Sequence, residues 1–361
     1  MTTHLTVAIC TWNRAALLER ALRCLANLAI PPDVSWEVVV VDNGSTDRTS
    51  EVVAAMAGAL PLRSVVEPES GLSHARNAAV RAARGHYILW TDDDVFVDQG
   101  WLAAYAGAFA RHPEAAVFGG PIEPAFEGSP PSWLAPALPA LGNAYALLDL
   151  GPRPIPFSYE TLPFGANYAI TAEVQRRHPY DPELGRSRDR LLAGEETAVV
   201  RAVLAEGHGG WWVPEARVQH FIPAERQSLR YLRDYYRGNA HSAAWIALTA
   251  APDTPFILGR PRWIWRQALE SELRYRLHRL ARASSALWAP EFRRASEAWG
   301  LLRAIDTELV YWARLENERQ ASAASASVDD DGEGRPAAAD RVAPDALPRS
   351  AASGQRPAGG D

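Results

Sequence analysis

Lysine is absent from the 361 residues, so arginine supplies all 37 basic charges. That absence excludes Schiff-base chemistry and any phosphate-binding loop that depends on a lysine. Cysteine is almost absent: Cys10 and Cys24 cannot build a disulfide framework, and a reducing compartment is expected. Long apolar runs are missing too. The stretch AWIALTAA at 244–251 is among the longest and is far too short to span a bilayer. The opening MTTHLTVAICTWNR lacks the basic and apolar segments of a signal peptide, so a cytoplasmic location is expected. No G-x-G-x-x-G follows any apolar run, which argues against a dinucleotide-binding dehydrogenase.

What is present is an ordinary globular composition, 47% apolar and 22% charged, with an uneven charge distribution. Residues 1–225 hold 17 arginines against 26 acidic residues, a net –9. Residues 226–317 hold 15 against 9, a net +6. Residues 318–361 are rich in Ala, Ser, Gly, Pro and Asp without an aromatic, a composition expected to be disordered. Three regions follow: 1–225, a helical segment 226–317, and the tail.

Along the first region apolar strand patterns alternate with amphipathic helical ones. LTVAIC (5–10) reads as a buried strand. Leu17, Leu18, Ala21, Leu22, Leu25 and Leu28 mark a helix from about Ala15. WEVVVVD (36–42) is an uninterrupted β-branched run ending in the turn Asn43-Gly44-Ser45, the signature of a strand covered on both faces. A helix over 47–57, a strand at 62–66, a helix over 74–84 and a strand at 87–91 follow. Strands and helices in alternation imply an α/β fold with a mostly parallel sheet and its ligand crevice beyond the strands' carboxyl ends. Residues 121–163, with ten prolines, read as a long surface excursion. Helix is expected again at 194–206, strands at 211–213 and 217–222, and helices from Ser228 to about Leu315.

Three acidic sites fall where that crevice should lie. Asp42 ends the second strand, Asp92-Asp93-Asp94 end the fourth, and Glu195-Glu196 open a helix after Gly194. Neighbouring carboxylates repel unless a cation lies between them, and Asp oxygens suit hard divalent ions shared with phosphates. Each site also has a plainer use. Three aspartates can be a solvated turn, two glutamates complement a helix dipole, and Asp42 can form its own turn. His220, in RVQHFI, is an ordinary candidate for a hydrogen-bonded core histidine.

Taken in order, VAICTWNR (7–14), VVVVDNGSTDRT (38–49), GLSHARNAAVRAARGHYILWTDDDV (71–95), PFGANYAI (163–170) and GEETAVVRAVLAEG (194–207) resemble the inverting glycosyltransferases of family 2, which have the GT-A fold. The likeness extends over roughly 5–225. It implies a nucleoside-diphosphate sugar donor, first of all a UDP-sugar, a hydroxyl acceptor on a glycan or lipid carrier, and a divalent metal, Mn²⁺ or Mg²⁺. Carried over by residue, it implies that Thr11 and Asn13 line the nucleotide pocket and that Asp42 binds the base. Arg76 and Asn77 would pass near the nucleotide and diphosphate. Asp92 to Asp94 match the DXD motif, with Asp92 near the ribose, Asp94 on the metal and Asp93 the weakest of the three. Gly165, Ala166 and Asn167 would lie beside the donor sugar and acceptor, and His220 would join Asp94 on the metal. Glu195-Glu196 match the family's Glu-Asp pair, whose second member is the base. Glu at 196 departs from that pattern and leaves either glutamate as candidate catalytic base.

Two alternatives stand beside this reading. A nucleotidyltransferase would need a Gly-rich basic loop, and CTWNRAAL offers no glycine. A catalytically silent, nucleotide-sugar-binding homologue finds its one hint in Glu196. The segment 226–317 reads first as helices packed on the catalytic domain. Its second reading is peripheral contact with an anionic membrane, through a stripe of Ile264, Ala268, Leu269, Leu273, Leu277 and Leu280. No nucleic-acid motif is present.

Overall fold

The computed structural model describes residues 3–182, 194–249, 254–306, 309–310 and 313–319. The tail expected to be disordered lies outside the described residues from 320 onward. The chain begins with β1 (Thr3–Thr11), α1 (Ala15–Ala26), β2 (Val34–Asp42), α2 (Thr49–Met56), β3 (Leu62–Val66), α3 (Leu72–Ala82) and β4 (Tyr87–Thr91). Beyond the aspartates come β5 (Val95–Val97), α4 (Trp101–Arg111), β6 (Ala115–Gly119), β7 (Ile122–Phe126) and α5 (Leu134–Leu141). A 3-10 turn at Gly142–Tyr145 follows, then β8 (Asn167–Thr171), α6 (Ala172–Arg177), α7 (Glu195–Ala205), β9 (Gly209–Trp212) and β10 (Val218–Ile222). After a second 3-10 turn, Ala224–Arg226, come α8 (Leu229–Thr249), the short hairpin β11 (Phe256–Ile257) and β12 (Arg260–Pro261), α9 (Arg262–Leu280) and α10 (Ser285–Ala304).

Seven strands form the central sheet in the order β3-β2-β1-β4-β8-β6-β9. All neighbours are parallel except at β8, which runs antiparallel to β4 and β6. Both faces are covered, which is why β2 is apolar without alternation: Val38 and Val40 pack in one core layer, Val39 and Val41 in the other. A second sheet, β5-β10-β7, carries Val95 opposite His220. It therefore sets the residues just after the aspartates beside β10. The architecture is thus mixed α/β with a helical C-terminal region, as the sequence pattern implies.

Two expectations need correcting. The stretch 121–163 is more than a surface excursion, because β7 and α5 lie within it and Leu134, Ala137, Leu141 and Tyr145 are buried. They share a core cluster with Leu232, Tyr236, Tyr275, Trp288 and Phe292 of α8, α9 and α10, so the C-terminal helices join the catalytic region through α5. The proposed single stripe on α9 divides in two. Ile264 and Ala268 are buried, whereas Leu269, Leu273, Leu277 and Leu280 are exposed.

Asn167 pins the sheet at its centre. Its Oδ1 accepts from Trp101 Nε1 (2.8 Å) and the Tyr105 hydroxyl (2.8 Å). Its Nδ2 donates to the carbonyls of Pro121 (3.0 Å) and Ala216 (2.7 Å). The neighbouring Gly120 has no room for a side chain, since a Cβ there would lie 2.1 Å from the Ala216 carbonyl oxygen. Asn167 is wholly buried, and the hydrogen bonds of its amide run to groups inside the protein. Asn167→Ala would leave two buried donors and two buried carbonyls short of a partner. The expected loss is on the order of 3 kcal/mol or more in a urea unfolding titration; a change below about 1 kcal/mol would contradict this role.

Candidate active site

The carboxyl ends of β1, β2 and β4 carry the loops that build the site. Thr11 and Asp42 are register partners at the ends of β1 and β2. Asn13 adopts a left-handed backbone (φ 54°), a conformation asparagine tolerates better than most residues. Its side-chain oxygen accepts from the Thr46 backbone N–H at 2.7 Å, while its own N–H donates to Ser45 Oγ at 2.9 Å. Asp42 Oδ1 accepts from the Ser45 N–H at 2.8 Å, an Asx turn. Asp47 then accepts from the Ala15 N–H at 3.0 Å, taking one of the unpaired donors at the start of α1. Asn13 and Asp42 thus clasp two loops together.

The three aspartates have separate surroundings. Asp93 is buried and accepts from Thr11 Oγ1 (2.7 Å) and Arg14 (3.0 Å). Thr11, expected to line the nucleotide pocket, is itself buried and holds Asp93 through its hydroxyl. Burial raises the Asp93 pKa to about 7, with Asp94 adding to the rise and Arg14 and Thr11 opposing it. Asp94 shares the same Arg14 nitrogen at 2.7 Å. Although burial works against its charge, His220, Arg14 and Arg226 hold its carboxyl well below the usual carboxylate range. Asp92 is only partly buried. Its pKa is raised first by burial; Asp94 and Glu196 raise it further, while Arg76 and His220 lower it. Asp92 is therefore within electrostatic reach of α3, α7 and β10 at once.

Arg76 sorts the two glutamates. It is buried on α3, stacked over Trp90 (5.8 Å) and Tyr180 (5.4 Å). Its Nη1 lies 2.8 Å from Glu195 Oε1 and 3.6 Å from Glu196 Oε2. Gly165 is the close approach that permits this, since a Cβ there would meet Arg76 at 2.5 Å. Glu195 is buried, its second oxygen taken by the Gly194 N–H at 3.1 Å. Glu196 stays more open, with 17% of its side chain exposed against 4% for Glu195. Asn77, also on α3, forms a reciprocal amide pair with the backbone of Tyr180, at 2.8 and 2.9 Å.

His220 faces Asp94. Its Nδ1 lies 2.5 Å from the Tyr145 carbonyl, which can only accept, so Nδ1 carries the proton and Nε2 points to Asp94 Oδ1 at 3.4 Å. Burial disfavours the imidazolium, but the Asp94 carboxylate overcomes this and raises the His220 pKa. An imidazole whose outer nitrogen is tied to a carbonyl, with its inner nitrogen beside a carboxylate oxygen, is a donor pair suited to a divalent cation. Among the described residues no group of three or more His, Cys, Asp or Glu side chains is placed to hold a metal. A cation on this pair would therefore complete its coordination with water or phosphate oxygens. Burial pushes the Cys10 thiol up to about 12, which disfavours its thiolate at neutral pH.

Three contributors were not assigned a role from the sequence. Arg14 lies inside the quoted VAICTWNR and bridges Asp93 and Asp94. Arg226 is near enough to stabilise the Asp94 charge. Tyr145 orients His220 through its carbonyl and donates its hydroxyl to the Arg226 carbonyl at 2.9 Å. An unpaired basic residue directly after a strand that ends near acids was the available signal for Arg14. Trp212 is buried, and Trp211 stacks on His112 with ring centres 3.9 Å apart. Trp133 packs against Trp288.

Residues 6–153 match the family described as Glycosyl transferase family 2. The succinoglycan biosynthesis protein ExoM of Rhizobium meliloti (strain 1021) is 28% identical over 251 residues, covering 66% of this chain and 74% of that protein. A validoxylamine A glucosyltransferase of Streptomyces hygroscopicus subsp. limoneus is 38% identical over 109 residues, 28% of this chain and 24% of that protein. Among solved structures, the mannosyltransferase PcManGT from Pyrobaculum calidifontis, in complex with GDP-Man and Mn²⁺, aligns over 92% of this chain and 89% of its own, with a TM-score of 0.49 and 20% identity. Over residues 6–153 the chain is thus similar to the glycosyltransferases of family 2, and over 251 residues to ExoM.

The unequal burial of the two glutamates makes a stability prediction. Glu195→Ala leaves Arg76 buried beside a weaker partner and should cost about 3 kcal/mol. Glu196→Ala should cost under about 1 kcal/mol. Denaturant unfolding of both variants checks this, and equal losses would contradict the assignment.

Proposed function

We propose that the chain transfers a sugar, with inversion, from a nucleoside-diphosphate donor, in the first instance a UDP-sugar, to a hydroxyl group of a growing glycan or glycolipid. The observation that carries this reading is the gathering of paired charges at the strands' carboxyl ends: Arg14 bridges Asp93 and Asp94, His220 Nε2 lies 3.4 Å from Asp94, and Arg76 holds Glu195 at 2.8 Å with Glu196 at 3.6 Å. These are a positive anchor, a cation-binding pair and an open carboxylate, the set that an anomeric displacement requires. The polysaccharide role in ExoM's name supports an acceptor of that class.

In this reading Glu196 is the base. It takes the acceptor hydroxyl proton as the acceptor oxygen forms its bond to the anomeric carbon and the bond to the diphosphate oxygen breaks. The electron pair leaves with the nucleoside diphosphate, and a single displacement inverts the anomeric centre. Glu195, neutralised by Arg76, positions α7 and does not itself take the proton. Asp92 faces the donor's ribose side, while Asn13 and Asp42 shape the nucleotide loop. Asp94 and His220 would hold Mn²⁺ or Mg²⁺, which when bound offsets the charge gathering on the departing diphosphate. Arg14 keeps Asp93 and Asp94 close without mutual repulsion. A cytoplasmic location fits this donor chemistry, and no helix among the described residues is long and apolar enough to cross a membrane.

UDP and Mn²⁺ together should raise the thermal midpoint of the protein, while either alone has little effect. Asp94→Ala should lose that shift. Glu196→Gln should keep the shift yet lose about 10³-fold in transfer rate. Full transfer by Glu196→Gln, or metal-independent activity in Asp94→Ala, would overturn the proposal.

A further inference from the structure

Helix α9 has two distinct faces. Ile264, Ala268, Ser271 and Tyr275 are buried toward the protein. Leu269, Leu273, Leu277 and Leu280 point away from it, with 58%, 59%, 56% and 85% of their surface exposed. Spacings of four, four and three residues place these leucines on one side of a helix. Leu287, early in α10, is another exposed leucine, at 58%. Scattered exposed leucines are ordinary, but four in line on one helix form a continuous apolar strip of a kind associated with binding.

The strip is set among arginines. Residues 262–282 contain Arg262, Arg266, Arg274, Arg276, Arg279 and Arg282 against Glu270 and Glu272, a net +4. All six arginines are exposed. At 100° per residue, Arg262, Arg266 and Arg276 share the leucine face. Glu270 and Glu272 are already engaged along the helix, Glu270 with Arg266 and Arg274 at 3.8 Å and Glu272 with Arg276 at 2.7 Å. Charge complementarity selects the occupant. Two copies of this face would set positive charge against positive charge, with both acids already paired within each helix. A layer of anionic phosphates presents the opposite sign and, just beneath it, an apolar medium for the leucines.

We propose that this face of α9 docks on an anionic membrane surface, its leucines entering the acyl boundary and its arginines meeting lipid phosphates. The contact is independent of the transfer chemistry. It would place the enzyme at a bilayer without a spanning helix, with α9 tied through the α5 cluster to the histidine-bearing side of the site.

Co-sedimentation of the full chain with vesicles tests this. Vesicles containing phosphatidylglycerol should carry down the protein at low salt, with binding that falls as salt rises. Vesicles of phosphatidylcholine alone should carry down little. The triple change Leu269→Gln, Leu273→Gln and Leu277→Gln should weaken binding at least about tenfold and shift the thermal midpoint little, because more than half of each residue is exposed. Arg262→Gln, Arg266→Gln and Arg276→Gln together form an independent second variant, expected to weaken binding and flatten its salt dependence. The proposal is overturned if the native chain ignores anionic vesicles at low salt or binds both vesicle types equally. It also fails if the leucine variant binds unchanged, or if light scattering shows a dimer that the leucine changes dissociate.

Discussion

Gathering carboxylates at one edge of a sheet is expensive, because each buried negative charge loses water and repels its neighbours. Asp93, Asp94 and Glu195 are buried, and Asp92 and Glu196 stand beside them. The rest of the site depends on how this repulsion is managed. Arg14 bridges Asp93 and Asp94, Arg76 holds Glu195, and His220 faces Asp94. Each cation also leaves a definite remainder: Asp94 stays ionised, and Glu196 keeps part of its side chain in solvent. The arrangement that stabilises the acids therefore also decides which of them is available for chemistry.

That arrangement is supported from farther away than the site itself. Arg76 can lie where it does because Gly165 has no side chain and because Asn77 ties Tyr180 across from it. The orientation of His220 depends on the Tyr145 carbonyl. Tyr145 in turn stacks on Tyr231 and belongs to the cluster that α5 shares with α8, α9 and α10. The C-terminal helices are thus part of the support of His220, which gives them a structural reason to follow the sheet region whatever surface they also meet.

The sheet was legible because its strands announce themselves. β2 is a run of valines, and β3 and β4 begin and end where their apolar patterns do. Asp92-Asp93-Asp94 and Glu195-Glu196 could be read as candidates because acids at strand ends and helix starts are visible in one dimension. Their division of labour was not, since it depends on Arg76, 119 positions before Glu195. The partners of Asn167 and Asn77 were hidden for the same reason: in one dimension an amide reads alike whether it faces a ligand or groups within the protein. β6 and α4 were missed because WLAAYAGAF (101–109) and AAVFGG (115–120) are each apolar without interruption, so neither offers an apolar–polar alternation to read. On α9 the helical period was read correctly but its buried side was not, because Ala268 and Leu269 are adjacent in sequence and lie on different faces.

The central claim is that Asp94 and His220 form the cation side of a nucleotide-sugar site. Crystals grown with UDP and Mn²⁺ test it directly through the anomalous signal of manganese. The account predicts one strong peak within bonding distance of both Asp94 and His220 Nε2, with diphosphate oxygens completing the coordination. A UDP complex with no peak there, or with manganese bound away from that pair, would contradict it.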